Sequence, residues 1–342
     1  MKRAFLLSTL LAPLFAAIFL GIHFSIIFFS PYQGEEVTFT VKPGEGFASV
    51  NGRLANQDLV SDPRIFHYYA KYTDKMGKIK AGTYQIRPGQ NMGDVLDTLV
   101  DGVPMLSSVT LPEGKNLYEV GKILEANDIV SYKDFIKEAK KNKYMKELGI
   151  EAPSLEGYLF PDTYNFAPQS PAPTVVKTML RLFRDKTAGL DFGKSALSKH
   201  EVVILASIVE KETGAKFERD TIAGVYLNRL KKGMRLQADP TTIYGIWEIY
   251  QGNLRKKHLQ EKTPYNTYRI PGLPLGPIAN PSLAAIKAVL NPEDHNYIFF
   301  VSKNDGTHVF TSTYKEHLKA VEFWQKTPEN RRGKSWRDLN QD

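Results

Sequence analysis

FTVKPGEGFASVNGRLANQDLV, from Phe39 to Val60, is the first of three copies of one pattern. The second is YQIRPGQNMGDVLDTLVDG, from Tyr84, and the third is VTLPEGKNLYEVGKILEANDIV, from Val109. With Gly44, Gly89 and Gly114 as origins, apolar residues recur at matching places. Val41, Ile86 and Leu111 precede the glycines, and Phe47, Met92 and Leu117 follow them at the same spacing. Val50, Val95 and Val120 come next, then Leu54, Leu99 and Leu124. An apolar stretch, a Pro/Gly pair and then helical spacing predict strand, turn and amphipathic helix in every copy. Between the first two copies, RIFHYYAKYTDKM (Arg64 to Met76) predicts one more helix. Such repeated units suit polymer binding, with a plain spacer as the alternative.

The chain has 342 residues, enough for two domains with sizeable cores. It has no cysteine, which excludes disulfides and thiolate zinc sites. Its seven histidines lack metal-ligand spacing, so neither a metal nor a cofactor is expected. The formal net charge of +8 favours an anionic partner. From Leu6 to Phe29 no Asp, Glu, Lys or Arg occurs, and a helix of that length would rise about 36 Å, against a hydrocarbon core of about 30 Å. The run is too long for the apolar core of a signal peptide and lacks its cleavage pattern. It therefore predicts an uncleaved anchor. Lys2 and Arg3 before it and Glu35 and Glu36 after it put the N-terminus in the cytoplasm and the body outside the cytoplasmic (inner) membrane. That topology argues against a nucleic-acid partner.

Beyond residue 150 the texture changes. LEGYLFPDTYNF (Leu155 to Phe166) mixes aromatic and polar residues, and helical patterns begin near Thr174 and Lys199. NYIFFVS and THVFTST, joined through KNDG, predict a hairpin. The fold class expected is α+β: an N-terminal transmembrane helix over 1–30, a LysM-like β/α module over 31–107 and a mixed α+β catalytic domain over 108–342. Within the last, the third β/α unit at 108–130 reads as a connecting subdomain.

SKHEVVILASIVEKETG bounds a helix: Ser198 with Glu201 forms a capping-box pattern, and Gly214 marks the C-terminal stop. On its wheel Glu212 continues the apolar stripe of Val202, Leu205 and Val209, whereas Glu210 falls away from it. Desolvation on that stripe, together with the negative end of the helix dipole, raises a carboxyl's pKa toward that of a general acid. The alternative is a buried ion pair with Arg219, Arg229 or Arg235. Asp239 before Pro240 reads as an N-cap. TPYNTYRIPGLPLGPIANPS (Thr263 to Ser282) is a long aperiodic loop whose tyrosines offer faces for sugar rings, or else a rigid wrap.

These segments, with ERDTIAGVYLNRLKKGMRLQADPTTIYG and YIFFVSKNDGTHVFTSTYKEH, resemble in this order the motifs of the YceG-like family of endolytic murein transglycosylases. The first two repeats, with the helix between them, also resemble a LysM-like glycan-binding module. The family resemblance implies a lytic transglycosylase, a carbon–oxygen lyase. Such an enzyme cleaves peptidoglycan between N-acetylmuramic acid and N-acetylglucosamine within nascent strands and leaves 1,6-anhydro ends. It places the catalytic acid at the second glutamate of the E-K-E motif, Glu212. Glu210, Asn228, Gln237, Asp239, Tyr244, Tyr265, Asn266 and Tyr268 match its polar and aromatic cleft positions. It also points to penicillin-binding peptidoglycan synthases as partners. A lysozyme-like hydrolase and a membrane-tethered non-catalytic scaffold are the competing readings.

Overall fold

The computed structural model describes residues 2–212 and 214–331, with side chains over 15–330 apart from Thr213. The chain is mixed α+β and mostly helical, and its sheets among the described residues are two-stranded. It divides into two compact units. Unit 1 comprises Met1–Ser108, Asn127–Ile129 and Asn165–Pro171, and unit 2 comprises Val109–Ala126, Val130–Tyr164 and Ala172–Asp342.

The chain begins with α1 (Lys2–Phe29), β1 (Val37–Val41), α2 (Phe47–Asn56), α3 (Pro63–Tyr72), β2 (Gly82–Ile86), α4 (Met92–Val100) and β3 (Ser107–Thr110). Each repeat folds as strand, turn and helix. Gly44, Gly89 and Gly114 adopt φ of +76°, +91° and +72°, a left-handed region that disfavours a side chain. The backbone, rather than packing, is what makes the glycine recur. Eleven of the twelve aligned apolar positions are buried, and the twelfth, Phe47, stacks on the buried Phe66. β1 and β2 pair antiparallel, from Val37 opposite Ile86 to Val41 opposite Gly82. β3 pairs instead with β4 (Thr163–Phe166), so the third repeat departs from the other two. Helix α3 forms where expected, started by Pro63 and by Asp62, whose side chain accepts from the Arg64 and Ile65 amides.

The expected membrane anchor is overturned. Among the described residues, no helix is long and apolar enough to cross a membrane. Near the end of α1 Phe28 is buried in the unit 1 core, with its ring 4.7 Å from that of Tyr69. Phe28 thus packs against protein, whereas Phe19, Leu20, Ile22 and Ile26 on the same helix are exposed. The single-pass inner-membrane placement, with a cytoplasmic N-terminus and an outer body, and the membrane-embedded state are corrected accordingly.

After β3 come α5 (Leu117–Ala126), α6 (Tyr132–Ala139), α7 (Asn142–Leu148), β4, α8 (Ala172–Thr187), α9 (Lys199–Glu212), α10 (Arg219–Lys231), α11 (Asp239–Gly245), α12 (Lys256–Gln260) and α13 (Leu283–Leu290). β5 (Phe299–Ser302), β6 (His308–Thr311), α14 (Tyr314–Val321) and α15 (Pro328–Arg331) follow and end the elements of the described residues. Helix α9 starts with the expected reciprocal cap: the Ser198 amide donates to Glu201 Oε2 at 2.8 Å, and the Glu201 amide to Ser198 Oγ at 3.3 Å. Val202 to Val209 are buried without a break, because α10, α11 and α13 pack on different sides of this helix. Helix α9 is thus buried all round over these residues. The hairpin forms as expected, from Phe299 opposite Thr311 to Ser302 opposite His308.

Gly157, in LEGY, shows how tightly the loops close on α9. It adopts φ +85°, and a Cβ there would lie 2.6 Å from the Pro277 ring and 3.0 Å from Val203 Cγ1. Gly157→Ala is expected to lower stability by about 1–3 kcal/mol through overpacking. Urea denaturation measures this, and an unchanged midpoint would show that the loop yields freely.

Candidate active site

Two glutamates end α9, and their surroundings differ in kind. The Glu210 side chain is buried and fully engaged: Oε1 accepts from Arg219 Nη2 at 3.0 Å, and Oε2 accepts from the Ser282 amide at 3.0 Å and from the Ser282 hydroxyl. Ser282 caps α13 and Arg219 opens α10, so Glu210 ties three helices together. Arg219 also lies 3.7 Å from Glu113. The alternative proposed for Glu212, a buried ion pair with arginine, is what Glu210 makes instead.

Glu212 has a poorer set of partners. Its carboxyl is desolvated beside Asp239, and both influences push its pKa up, to about 7. A hydrogen bond with the Tyr226 hydroxyl and the charge of Arg229 oppose the rise. Tyr226 is buried on α10. Arg229, one turn further on, is fixed by other bonds: Nε donates to the Ile298 carbonyl at 2.7 Å and Nη1 to the Leu236 carbonyl at 2.6 Å. Among the described residues, no cation lies within ion-pair distance of Glu212.

Asp239 is the first residue of α11, but its side chain does not cap the helix. Oδ1 accepts from the Tyr268 hydroxyl at 2.6 Å instead. The structure thus brings together Glu212, Asp239 and Tyr268 from the expected set and adds Tyr226 and Arg229. Nearby, Gln237 is exposed and holds φ +51°, a left-handed conformation uncommon for a side-chain-bearing residue and enriched at functional sites.

Other expected cleft residues have structural duties. Asn228 Nδ2 donates to the His295 carbonyl at 2.7 Å and to the Tyr297 carbonyl at 3.2 Å. Asn266 is fully buried; its amide donates to the Glu261 carbonyl at 2.7 Å, and its oxygen accepts from the Thr242 hydroxyl and the Tyr268 amide, each at 3.0 Å. Tyr244 and Tyr265 meet edge to face, with ring centroids 4.7 Å apart, towards the other end of α11. The Tyr244 hydroxyl donates to Glu156 Oε2 at 3.0 Å.

Glu156 is a buried carboxyl that sequence reasoning quoted within LEGY without giving it a role. Its Oε2 accepts the Leu117 amide at 2.8 Å and its Oε1 accepts Asn280 Nδ2 at 3.3 Å. Burial pushes its pKa up to about 8, against the Leu117 amide and the Tyr244 hydroxyl. A glutamate inside an otherwise apolar motif was the available signal. Among the described residues, no group of three or more His, Asp or Glu is suited to hold a metal ion.

The sequence matches the YceG-like family over residues 39–323. The chain belongs to the YceG-like family. It is 31% identical to the endolytic murein transglycosylase of Bacillus subtilis (strain 168), an alignment covering 84% of this chain and 84% of that protein. It is 26% identical to the endolytic murein transglycosylase of Streptococcus pneumoniae (strain ATCC BAA-255 / R6), covering 93% of this chain and 65% of that protein. The crystal structure of a yceG-like protein from Listeria monocytogenes, 29% identical, matches with a TM-score of 0.55 over 83% of this chain and 99% of that one. The mixed α+β architecture is therefore that of the YceG-like fold.

Two outcomes separate the glutamates. Glu210→Ala strips the buried Arg219 of its close partner and is expected to cost about 3–5 kcal/mol, read as a lower melting temperature. A carboxyl such as Glu212, whose pKa is raised by folding, contributes stability that is complete below its ordinary value of 4.5 and is lost as pH rises to about 7. Glu212→Gln should therefore gain stability relative to the unaltered protein across that window. Parallel pH profiles of the two urea midpoints would contradict the burial of Glu212 as an acid.

Proposed function

We propose that this chain is an endolytic peptidoglycan lytic transglycosylase in which Glu212 acts as acid and then as base. The observation that carries the reading is a desolvated carboxyl with a pKa near 7, at the end of a rigid buried helix and at the position of the family's second motif glutamate. Protonated Glu212 gives its proton to the oxygen linking N-acetylmuramic acid to N-acetylglucosamine as that bond breaks. The resulting carboxylate takes the proton of the muramoyl C6 hydroxyl while its oxygen bonds to C1. The proton count closes, no water is consumed, and a 1,6-anhydro end forms. One group poised near neutrality serves both half-steps. The negative charge of Asp239, held by Tyr268, favours the cationic character that develops at C1.

Asp239 also supports a second reading. A hydrolase uses a second carboxylate to activate water or to act as nucleophile, and Asp239 is the group available. Mass spectrometry of digested glycan strands separates the two, because the hydrolase product is heavier by one water and has a free reducing end.

In this reading unit 1 serves as a LysM-like glycan-binding module. Its support is the order β1, α2, α3, β2 with the two strands paired antiparallel. Penicillin-binding synthases, which make the strands such an enzyme would cut, are its candidate partners; crosslinking in intact cells tests that contact.

Glu212→Gln keeps the shape but removes the transferable proton, so turnover on purified strands is expected to fall ~10²–10⁴-fold. The melting temperature should hold or rise, since no charge is left to desolvate. Activity of the unaltered enzyme should decline as pH rises above about 7, where Glu212 loses its proton. Full activity in Glu212→Gln would end the assignment.

A further inference from the structure

Unit 2 contains a cavity of about 460 Å³ that neither Glu212 nor Asp239 lines. Its aromatic walls are Tyr118, Tyr244, Trp247 and Tyr265, and Leu275 adds apolar surface. Tyr118 and Trp247 are nearly parallel, at 13°, with centroids 6.1 Å apart, and Tyr244 lies 6.2 Å from Tyr118. These rings are held from behind. Glu156 fixes the Tyr244 hydroxyl and also binds the amide of Leu117, the residue before Tyr118. A volume in the usual range for small-ligand sites, flat apolar walls and a few polar groups describe a preformed pocket.

The charges around it narrow the ligand. Lys140 is the lining cation, with Nζ 5.5 Å from the Tyr118 centroid, and Glu248 and Glu261 are the lining anions. Two carboxylates against one ammonium disfavour an acidic group. Four aromatic rings favour the flat C–H faces of an uncharged sugar, and the apolar wall suits an acetamido methyl. The position fits a strand passing the acid. Asp239 and Tyr244 lie five residues apart on α11, about 7.5 Å along its axis. The loop that supplies Tyr268 to Asp239 also supplies Tyr265 to the cavity.

We infer that this cavity is a glycan subsite that takes a neutral N-acetylglucosamine ring of the strand, away from the bond that is cut. The inference rests on the proposed transglycosylase reading for its substrate, and adds Tyr118 and Trp247 as binding residues that no sequence motif supplied. The subsite would hold the strand in register while Glu212 acts, so its loss should appear in binding more than in chemistry.

The full-length protein is titrated with an N-acetylglucosamine tetramer by calorimetry and by tryptophan fluorescence. Binding is expected, with a fluorescence change that Trp247→Phe removes while binding persists. Trp247→Ala and Tyr118→Ala should each weaken binding about tenfold or more, as truncation of a central aromatic contact does. On glycan strands, Trp247→Ala should raise KM by a similar factor and lower kcat less. Melting temperatures matching the parent exclude misfolding, and the fluorescence assignment stands on the conservative phenylalanine variant. Tetramer binding through Trp247 without strand cleavage would keep the subsite and overturn the transglycosylase reading. Normal cleavage with KM and tetramer affinity unaltered in Trp247→Ala would overturn the subsite alone. A free stem peptide that shifts Trp247 fluorescence while the tetramer does not would assign the cavity to peptide and overturn the inference.

Discussion

Unit 2 depends on where the carboxylate of Glu210 is held. It fastens the end of α9 to the first residue of α10 through Arg219 and to the cap of α13 through Ser282. A buried charge survives only with partners, and here Oε1 has Arg219 and Oε2 has both the amide and the hydroxyl of Ser282. The tie has a steric result as well as an energetic one. With Glu210 immobile at the helix end, Glu212 is carried by the same rigid backbone to the side where Tyr226, Arg229 and Asp239 converge. Two residues of the same type, two positions apart across Lys211, are driven to opposite conditions by the donors available to each. The saturated one ties helices together, and the other has its pKa raised by desolvation and by Asp239.

The same accounting explains why a long irregular loop can be buried. Gly276 to Ser282 are buried although they form neither helix nor strand before α13. Backbone polar groups in such a place need partners. Asn280 supplies several: its Oδ1 accepts the Gly157 and Leu159 amides, and its Nδ2 donates to the Lys115 carbonyl, all at 3.0 Å. Ser207, within α9, accepts the Ile278 amide at 3.0 Å. The prolines of the loop reduce the problem further, since each removes a donor that would need satisfying. Gly276 to Ser282 are thus a second layer of core held by side-chain hydrogen bonds.

Local patterns were legible where local physics decides the outcome. The three turns follow from glycine at positive φ, the start of α9 from Ser198 and Glu201, and the hairpin from two strand-like runs around Asp-Gly. The raised pKa of Glu212 was readable as desolvation, though its second contributor is the neighbouring Asp239 rather than the helix end alone. Features set by distant partners were not legible. Asp239 has the right residue before the right proline for a cap, yet a tyrosine twenty-nine positions away takes its carboxylate. Asn228 and Asn266 look like sugar ligands until the carbonyls they satisfy come into view. Hydrophobicity marked the N-terminal run for lipid, but hydrophobicity does not say whether the apolar neighbour is lipid or protein, and for Phe28 it is protein.

The division into units has a practical side. Unit 1 is not a contiguous stretch: Asn127–Ile129 and Asn165–Pro171 belong to it although the rest ends at Ser108. The two short returns are joined to each other, the Gln169 amide donating to the Asp128 carbonyl at 2.9 Å, and Ile129 is fully buried. A gene cut at codon 108 would therefore yield a fragment short of pieces of its own packing, and a remainder bearing orphaned ones. Exchange of the first unit as a cassette would have to move three segments at once.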